Sequence, residues 1–183
     1  GKTLLINPPQ DQLATALAPL DVVLWTWNYA DYQYFQQAGY SAYFDITAPQ
    51  QDFDHAVIFV PKAKEQLNYV LEQCAALLAK GKDILLVGEK KAGIEGSAKL
   101  LKAFGTPCKL DSARHCQSWH IRTEQQVTAR PLADWVKTYH YASAQLQLSI
   151  CALPGVFSQD HLDLGTQQLL PFLQQVRSGS ILD

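Results

Sequence analysis

Apolar residues in this chain gather in short runs that alternate with helical spacings. Thr3 to Ile6 is an apolar run closed by Asn7-Pro8-Pro9, and Val22 to Trp27 is a second, rich in β-branched and aromatic residues; both read as strands. Ala30 to Ala38 is a candidate helix ended by Gly39, before a candidate strand at Tyr40 to Ile46. The clearest unit is central. His55 to Val60 is a continuous apolar run of strand length, and Pro61 suits the first turn of a helix, where its missing N–H costs nothing. Leu67, Val70, Leu71, Cys74, Leu77 and Leu78 then follow at i, i+3, i+4, i+7, i+10 and i+11, one face of a helix. Gly81 is placed to supply the left-handed residue that ends it, and Ile84 to Val87 is the next buried strand. Strand, helix and strand in that order predict a parallel pair.

A further helix near Ile94 to Phe104 puts Ile94, Ala98 and Leu101 on one side and stops at Gly105-Thr106-Pro107. The period then changes. Gln117, Trp119, Ile121 and Thr123 alternate with Cys116, Ser118, His120 and Arg122, and Leu146, Leu148 and Ile150 alternate with glutamine and serine. Period two suggests antiparallel strands. The pattern predicts an α/β fold with a mostly parallel sheet and antiparallel C-terminal strands, and Thr128 to Pro131 is the expected internal loop.

Composition agrees with a folded domain. The chain has 183 residues, 48% of them hydrophobic and 10% aromatic, enough for a core and too many for disorder. Cys74, Cys108, Cys116 and Cys151 form no C-x-x-C pair, and neither a signal peptide nor an apolar run of membrane-spanning length (~18 residues) is present. Reduced thiols in a cytoplasmic, membrane-free protein are the expectation. There is no methionine, so Gly1 reads as a processing or expression boundary.

The net charge of -2 is unevenly spread. Residues 80–122 hold nine Lys/Arg against four acids, which leaves the rest of the chain acidic. Such asymmetry either marks a phosphate-facing surface or solvates outer helix faces. On the first reading Lys90, Lys91, Arg114 and Arg122 are the candidate RNA-binding residues. Trp25, Trp27, Tyr29, Tyr32 and Tyr34 can stack unpaired bases, but acidic neighbours favour packing in a core or domain interface.

A nucleotide cofactor calls for a glycine-rich turn, and no G-x-G-x-x-G occurs. The nearest candidate, Gly88 to Gly93, places Glu89, Lys90 and Lys91 where a close backbone approach wants small residues. Asn7-Pro8-Pro9-Gln10 resembles the Asn-Pro-Pro-aromatic motif that binds exocyclic amines, yet the fourth residue is Gln10 and no cofactor loop precedes it. A turn that ends a strand is the simpler reading. Cys108, His115, Cys116 and His120 do not have zinc-finger spacing, so no metal is expected.

Three segments carry a family resemblance. They are Val87-Gly88-Glu89-Lys90-Lys91-Ala92-Gly93-Ile94, Lys109-Leu110-Asp111-Ser112-Ala113-Arg114-His115-Cys116, and an end motif. The end motif runs Leu153-Pro154-Gly155-Val156-Phe157-Ser158, then Leu162-Asp163-Leu164-Gly165, an amphipathic run and Ser180-Ile181-Leu182-Asp183. In this order over residues 61–183 they resemble the N-terminal half of the small-subunit rRNA methyltransferase C family, S-adenosylmethionine-dependent 16S rRNA guanine-N2 methyltransferases. The resemblance implies a Rossmann-like methyltransferase-type sheet whose cofactor loop is lost, over residues 1–153. It implies that 154–183 is a connector helix and the first strand of a truncated catalytic domain, ending where a glycine loop should follow.

By the same resemblance Phe157, Ser158, Asp163 and Gly165 sit against the cofactor of the complete enzyme, and Asp183 opens its first cofactor motif. The fragment itself is expected to bind no cofactor and to be inactive, with 16S rRNA or the small subunit and its own catalytic domain as partners. From the residues alone, Ser158 or Asp160 can cap the following helix and Asp163 can match its dipole; Pro171 should kink that helix or end its first half. A related large-subunit rRNA methyltransferase, a scaffold that never touches RNA, and an independent small α/β enzyme are the alternatives.

Overall fold

The structure, a computed structural model, describes residues 1–17, 19–143, 146–173 and 179. The chain divides into two units, Gly1–Leu132 and Ala133–Asp183. In the first, the strands are β1 (Lys2–Ile6), β2 (Asp21–Thr26), β3 (Ala42–Phe44), β4 (Phe53–Phe59), β5 (Leu78–Glu89), β6 (Cys108–Ala113) and β7 (Cys116–Arg122). They form a seven-stranded sheet in the order β3-β2-β1-β4-β5-β7-β6. The first five are parallel, and β7 runs antiparallel to both β5 and β6.

Leu4, Leu5 and Ile6 of β1 are all buried because the strand lies in the middle of a sheet covered on both faces, which is why its sequence is continuous rather than alternating. Leu4, Ile6, Trp25, Ala56, Ile58, Ile84, Leu86 and Ile121 join one core with Leu67, Val70, Leu71 and Cys74 of α3 (Lys64–Leu77) and with Ile94 and Ala98 of α4 (Ile94–Ala98). Leu5 and Leu24 pack on Phe35 of α2 (Tyr29–Gln37). Asn28 starts α2, its Oδ1 accepting from the N–H groups of Ala30 at 2.9 Å and Asp31 at 3.3 Å. A short α1 (Leu13–Ala16) follows β1.

Several local expectations change. Gly81 does not end a helix: α3 passes at Leu78 directly into β5, and Gly81 lies inside that strand with φ +84°. Leu78 fits the helical period and is buried, but as the first strand residue; burial alone does not distinguish the two. The Gly81 N–H donates to the Thr123 carbonyl at 2.8 Å, and the Thr123 hydroxyl donates to the Ala79 carbonyl at 2.8 Å, so the irregularity is closed by hydrogen bonds. The helix expected to Phe104 is α-helical only to Ala98 and continues as 3-10 turns over Lys99–Ala103. The strand expected over Tyr40 to Ile46 shrinks to the three residues of β3.

In the second unit, β8 (Lys137–Ala142) and β9 (Gln147–Ala152) make a separate antiparallel pair, followed by α5 (Leu164–Leu173). The alternation at Leu148 and Ile150 does mark a strand. Its partner is β8 rather than a strand of the large sheet, and this pair lies in the second compact unit. Pro171 lies inside α5, which runs on to Leu173.

Candidate functional site

In a parallel sheet, ligands bind outside the carboxyl ends of the strands where the strand order reverses. Here that is between β1 and β4, so the turn that matters is Asn7-Pro8-Pro9-Gln10 and not Gly88 to Gly93, which follows β5. Asn7 has φ 50°, its N–H donates to the Trp25 carbonyl at 2.9 Å, and Gln10 Nε2 donates to Asp31 Oδ1 at 2.5 Å. Pro8 is buried, and neither Pro8 nor Pro9 has an N–H to give a ligand.

The carboxyl end of β2, where an acidic residue would take a ribose, leads into Trp27 and Asn28. Trp27 packs edge-on against Trp25 with centroids 6.0 Å apart and against Tyr69 at 5.6 Å. These residues do not fit an S-adenosylmethionine cradle: prolines and rings stand where backbone N–H groups are needed, and the Asp31 carboxylate on α2 is already bonded by Gln10. The aromatic stretch thus splits. Trp25 is buried and Trp27 is half-buried against the core, while Tyr29, Tyr32 and Phe44 make a surface cluster with centroids 5.4–5.9 Å apart.

Three of the four candidate RNA-binding residues come together. Lys90 and Lys91 lie in the 3-10 turn after β5, and Arg114 with His115, both left-handed at φ 46° and 67°, forms the β6–β7 turn. The Lys90 N–H donates to the His115 carbonyl at 2.8 Å, which ties the two turns together. Arg122 lies at the other end of β7, roughly 20 Å away at ~3.4 Å per residue, with Nε 3.4 Å from Asp83 Oδ1. Asp83 also accepts from His120 Nε2 at 2.8 Å and lies 3.4 Å from His55 Nδ1. Burial pushes the Asp83 carboxyl up, but the bonds and charges of His120 and Arg122 outweigh it and hold it below the usual range. Arg122 is therefore paired, and its separation from Arg114 follows from a β-strand's length, which composition does not display.

Among the described residues, no group of three or more His, Cys, Asp and Glu side chains is arranged to hold a metal. Cys108 stands opposite His120 in the β6–β7 register, with Cys116 at the far end of the strand. Nor is any described helix long and apolar enough to cross a membrane.

In the second unit, Phe157 is 82% exposed, and Ser158 has φ 52° with its carbonyl 3.4 Å from the Tyr139 hydroxyl. Neither Ser158 nor Asp160 caps α5. Asp160 instead accepts from His161 Nδ1 at 2.7 Å, and Asp163 is the cap, accepting the Thr166 N–H at 3.1 Å and its hydroxyl at 2.6 Å. A Cβ on Gly165 would stand 3.1 Å from Asp163 Oδ1, so the glycine leaves room for the capping carboxylate. Asp183 lies outside the described residues.

The Thr166 side-chain hydrogen bond, followed by its backbone N–H, holds the Asp163 pKa below the ordinary carboxylate value. A depressed carboxylate stabilises the folded form above its unfolded pKa of ~3.9, and that stability is lost as pH falls through the lower folded value. A carbon-13 titration of Asp163 should therefore give a midpoint below ~3.9 and an upward shift in Thr166→Val. A midpoint at or above that value would refute the cap.

A parallel five-stranded core finished by two antiparallel strands, in the order 3-2-1-4-5-7-6, defines a Rossmann-like methyltransferase-type fold. Residues 1–139 match the family described as methyltransferase small domain N-terminal, and residues 147–183 match the methyltransferase small domain. The chain belongs to the first of these families. It is 53% identical over 184 residues to ribosomal RNA small subunit methyltransferase C of Acinetobacter baumannii, covering 100% of this chain and 55% of that protein. The protein of the same name from Pseudomonas putida is 42% identical over 185 residues, with 100% and 54% covered. The chain thus spans about half the length of the curated relatives it matches.

Among solved structures, a T. thermophilus 16S rRNA N2 G1207 methyltransferase in complex with AdoMet and guanosine has a TM-score of 0.81 at 21% identity, with 96% of this chain and 48% of that chain covered. The Methanococcus jannaschii fibrillarin pre-rRNA processing protein has a TM-score of 0.53 at 12% identity, with 68% and 67% covered. These two structures bear on the fold.

Proposed function

We propose that this chain is the non-catalytic N-terminal half of an S-adenosylmethionine-dependent 16S rRNA (guanine-N2) methyltransferase of the cytoplasm. The observation that carries this reading is the 53% identity over the whole chain to a small-subunit rRNA methyltransferase of which the chain makes about half. The proline turn at the strand-order reversal supports the non-catalytic part. Residues 1–153 form the degenerate domain, and 154–183 lead into the catalytic one. Phe157, Ser158, Asp163, Gly165 and Asp183 lie near the cofactor of the intact enzyme, where it supplies a methyl group to the exocyclic amine of a flipped guanine. The exposed Phe157, Leu164, Leu169 and Phe172 support a contact between this segment and the catalytic half.

Lys90, Lys91 and Arg114 gather RNA phosphates; Arg122 is the weaker candidate because Asp83 pairs it. Reversing the first three charges is expected to weaken binding of single-stranded 16S rRNA segments and to lower the salt slope by about 2, at ~0.7 per phosphate contact. Unchanged binding would leave a scaffold role. Isothermal titration of S-adenosylmethionine should give heat with the full-length protein and none with this chain; micromolar binding here would overturn the non-catalytic assignment.

A further inference from the structure

Three lysines of the basic stretch, Lys99, Lys102 and Lys109, are not used by the reading above. Lys99 and Lys102 lie one turn apart on the 3-10 segment after α4, and Lys109 lies on β6. All three are exposed, and they border one cavity of about 450 Å³ that Trp119, Pro107 and Glu95 also line. Trp119 stands directly opposite Lys109 in the β6–β7 register.

The indole is held from behind. Its Nε1–H donates to Gln117 Oε1 at 2.9 Å, and Gln117, 3% exposed, donates through Nε2 to Glu95 Oε1 at 2.7 Å. The polar edge of Trp119 is thereby satisfied within the protein. With that edge satisfied, the carbon atoms of the ring are what the indole can give to the cavity that it lines. Glu95 already accepts a hydrogen bond, and the three ammonium groups outnumber its charge.

A fixed aromatic surface rimmed by cations on two different elements is the combination that holds a single-stranded nucleic acid: a base stacks on the ring while flanking phosphates meet the lysines. The volume is within the ~300–1,000 Å³ of ligand pockets. A free nucleoside polyphosphate would call for converging backbone N–H groups in a glycine-rich loop, whereas flexible lysine side chains suit a continuing phosphate chain. We propose that this cavity is a subsite for one unpaired nucleotide of single-stranded RNA, stacked on Trp119 and flanked by Lys99, Lys102 and Lys109. The proposal rests on the rRNA reading above and adds a second contact region, distinct from the Lys90, Lys91 and Arg114 cluster.

The test is fluorescence anisotropy of the 183-residue chain with a labelled single-stranded RNA of about 12 nucleotides, across a salt series. The Lys99→Glu/Lys102→Glu pair changes only exposed side chains, so its thermal midpoint should match the parent. It should bind more weakly and with a salt slope lower by between 1 and 2, at ~0.7 per contact. Trp119→Ala should weaken binding roughly 5- to 100-fold with the slope unchanged, and Trp119→Phe should restore most of it. Because Trp119 also packs against the core, the lysine pair decides the matter if the alanine variant fails to fold. Parent-like affinity and slope in that pair would overturn the subsite. If reversal of Lys90, Lys91 and Arg114 still weakens binding in that case, the RNA-assisting function stands without it; if neither set matters, or the parent chain does not bind RNA, both fall.

Discussion

Replacing Trp25 with alanine is expected to destabilise the first unit by about 3–5 kcal/mol, a large part of the ~5–15 kcal/mol that holds a domain folded. The side chain is fully buried, and its Nε1–H donates to the Asp45 carbonyl at 2.9 Å. It also supports the ring of Trp27, which in turn packs on Tyr69. Truncation would empty a ring-sized volume in β2, leave the Asp45 carbonyl without its donor and loosen the ring contacts of Trp27. Urea unfolding should show a lower midpoint with an unchanged slope. A shift worth less than about 1 kcal/mol would mean that the core collapses around the gap and does not depend on the Trp25 ring.

The second large effect is expected at Gly105. This residue is buried, its N–H donates to the Leu101 carbonyl at 3.1 Å, and an added Cβ would run into the backbone carbonyl oxygen of Arg122. The obstacle is not a flexible side-chain end. It belongs to β7, whose Arg122 is registered against Asp83 of β5. Gly105→Ala should therefore cost about 1–3 kcal/mol or more by prising the segment after Lys99–Ala103 away from β7. Gly96→Ala is the contrast, since a Cβ there meets nothing within 4 Å and the position lies inside α4. It should stabilise by about 0.4–1 kcal/mol. Equal thermal midpoints for the two variants would refute the close-approach argument.

Much of the fold was legible in the chain because its elements are locally encoded. The runs at 3–6, 22–27 and 55–60 are strands, the spacing from Leu67 to Leu77 is a helix, and period two after residue 115 marks the antiparallel finish. The misreadings have separate causes. Gly81 looks like a helix terminator only when read beside Leu77 and Leu78; its conformation is set by Thr123, which lies far along the chain. The cap of α5 is Asp163 and not Ser158, because Ser158 takes up a left-handed turn of its own.

The candidate site was less legible, for a related reason. Charge counting showed a basic segment but not its layout: Lys90, Lys91 and Arg114 meet at one end of β5 to β7, Lys99, Lys102 and Lys109 meet around Trp119, and Arg122 is drawn to Asp83. The turn at residues 88–93 was set aside for its Glu and lysines, but only the strand order shows that the reversal lies at Asn7-Pro8-Pro9. By itself the sequence determined the buried strands β1, β2 and β4 and the helix α3, that the central strands are parallel, and which family motifs the chain carries. Those depend on side-chain periodicity and residue chemistry over a few neighbours. Only the tertiary structure decided which turn stands at the strand-order reversal and which cations share a surface, because both depend on strand order and register between residues far apart in the chain, where local pattern carries no information.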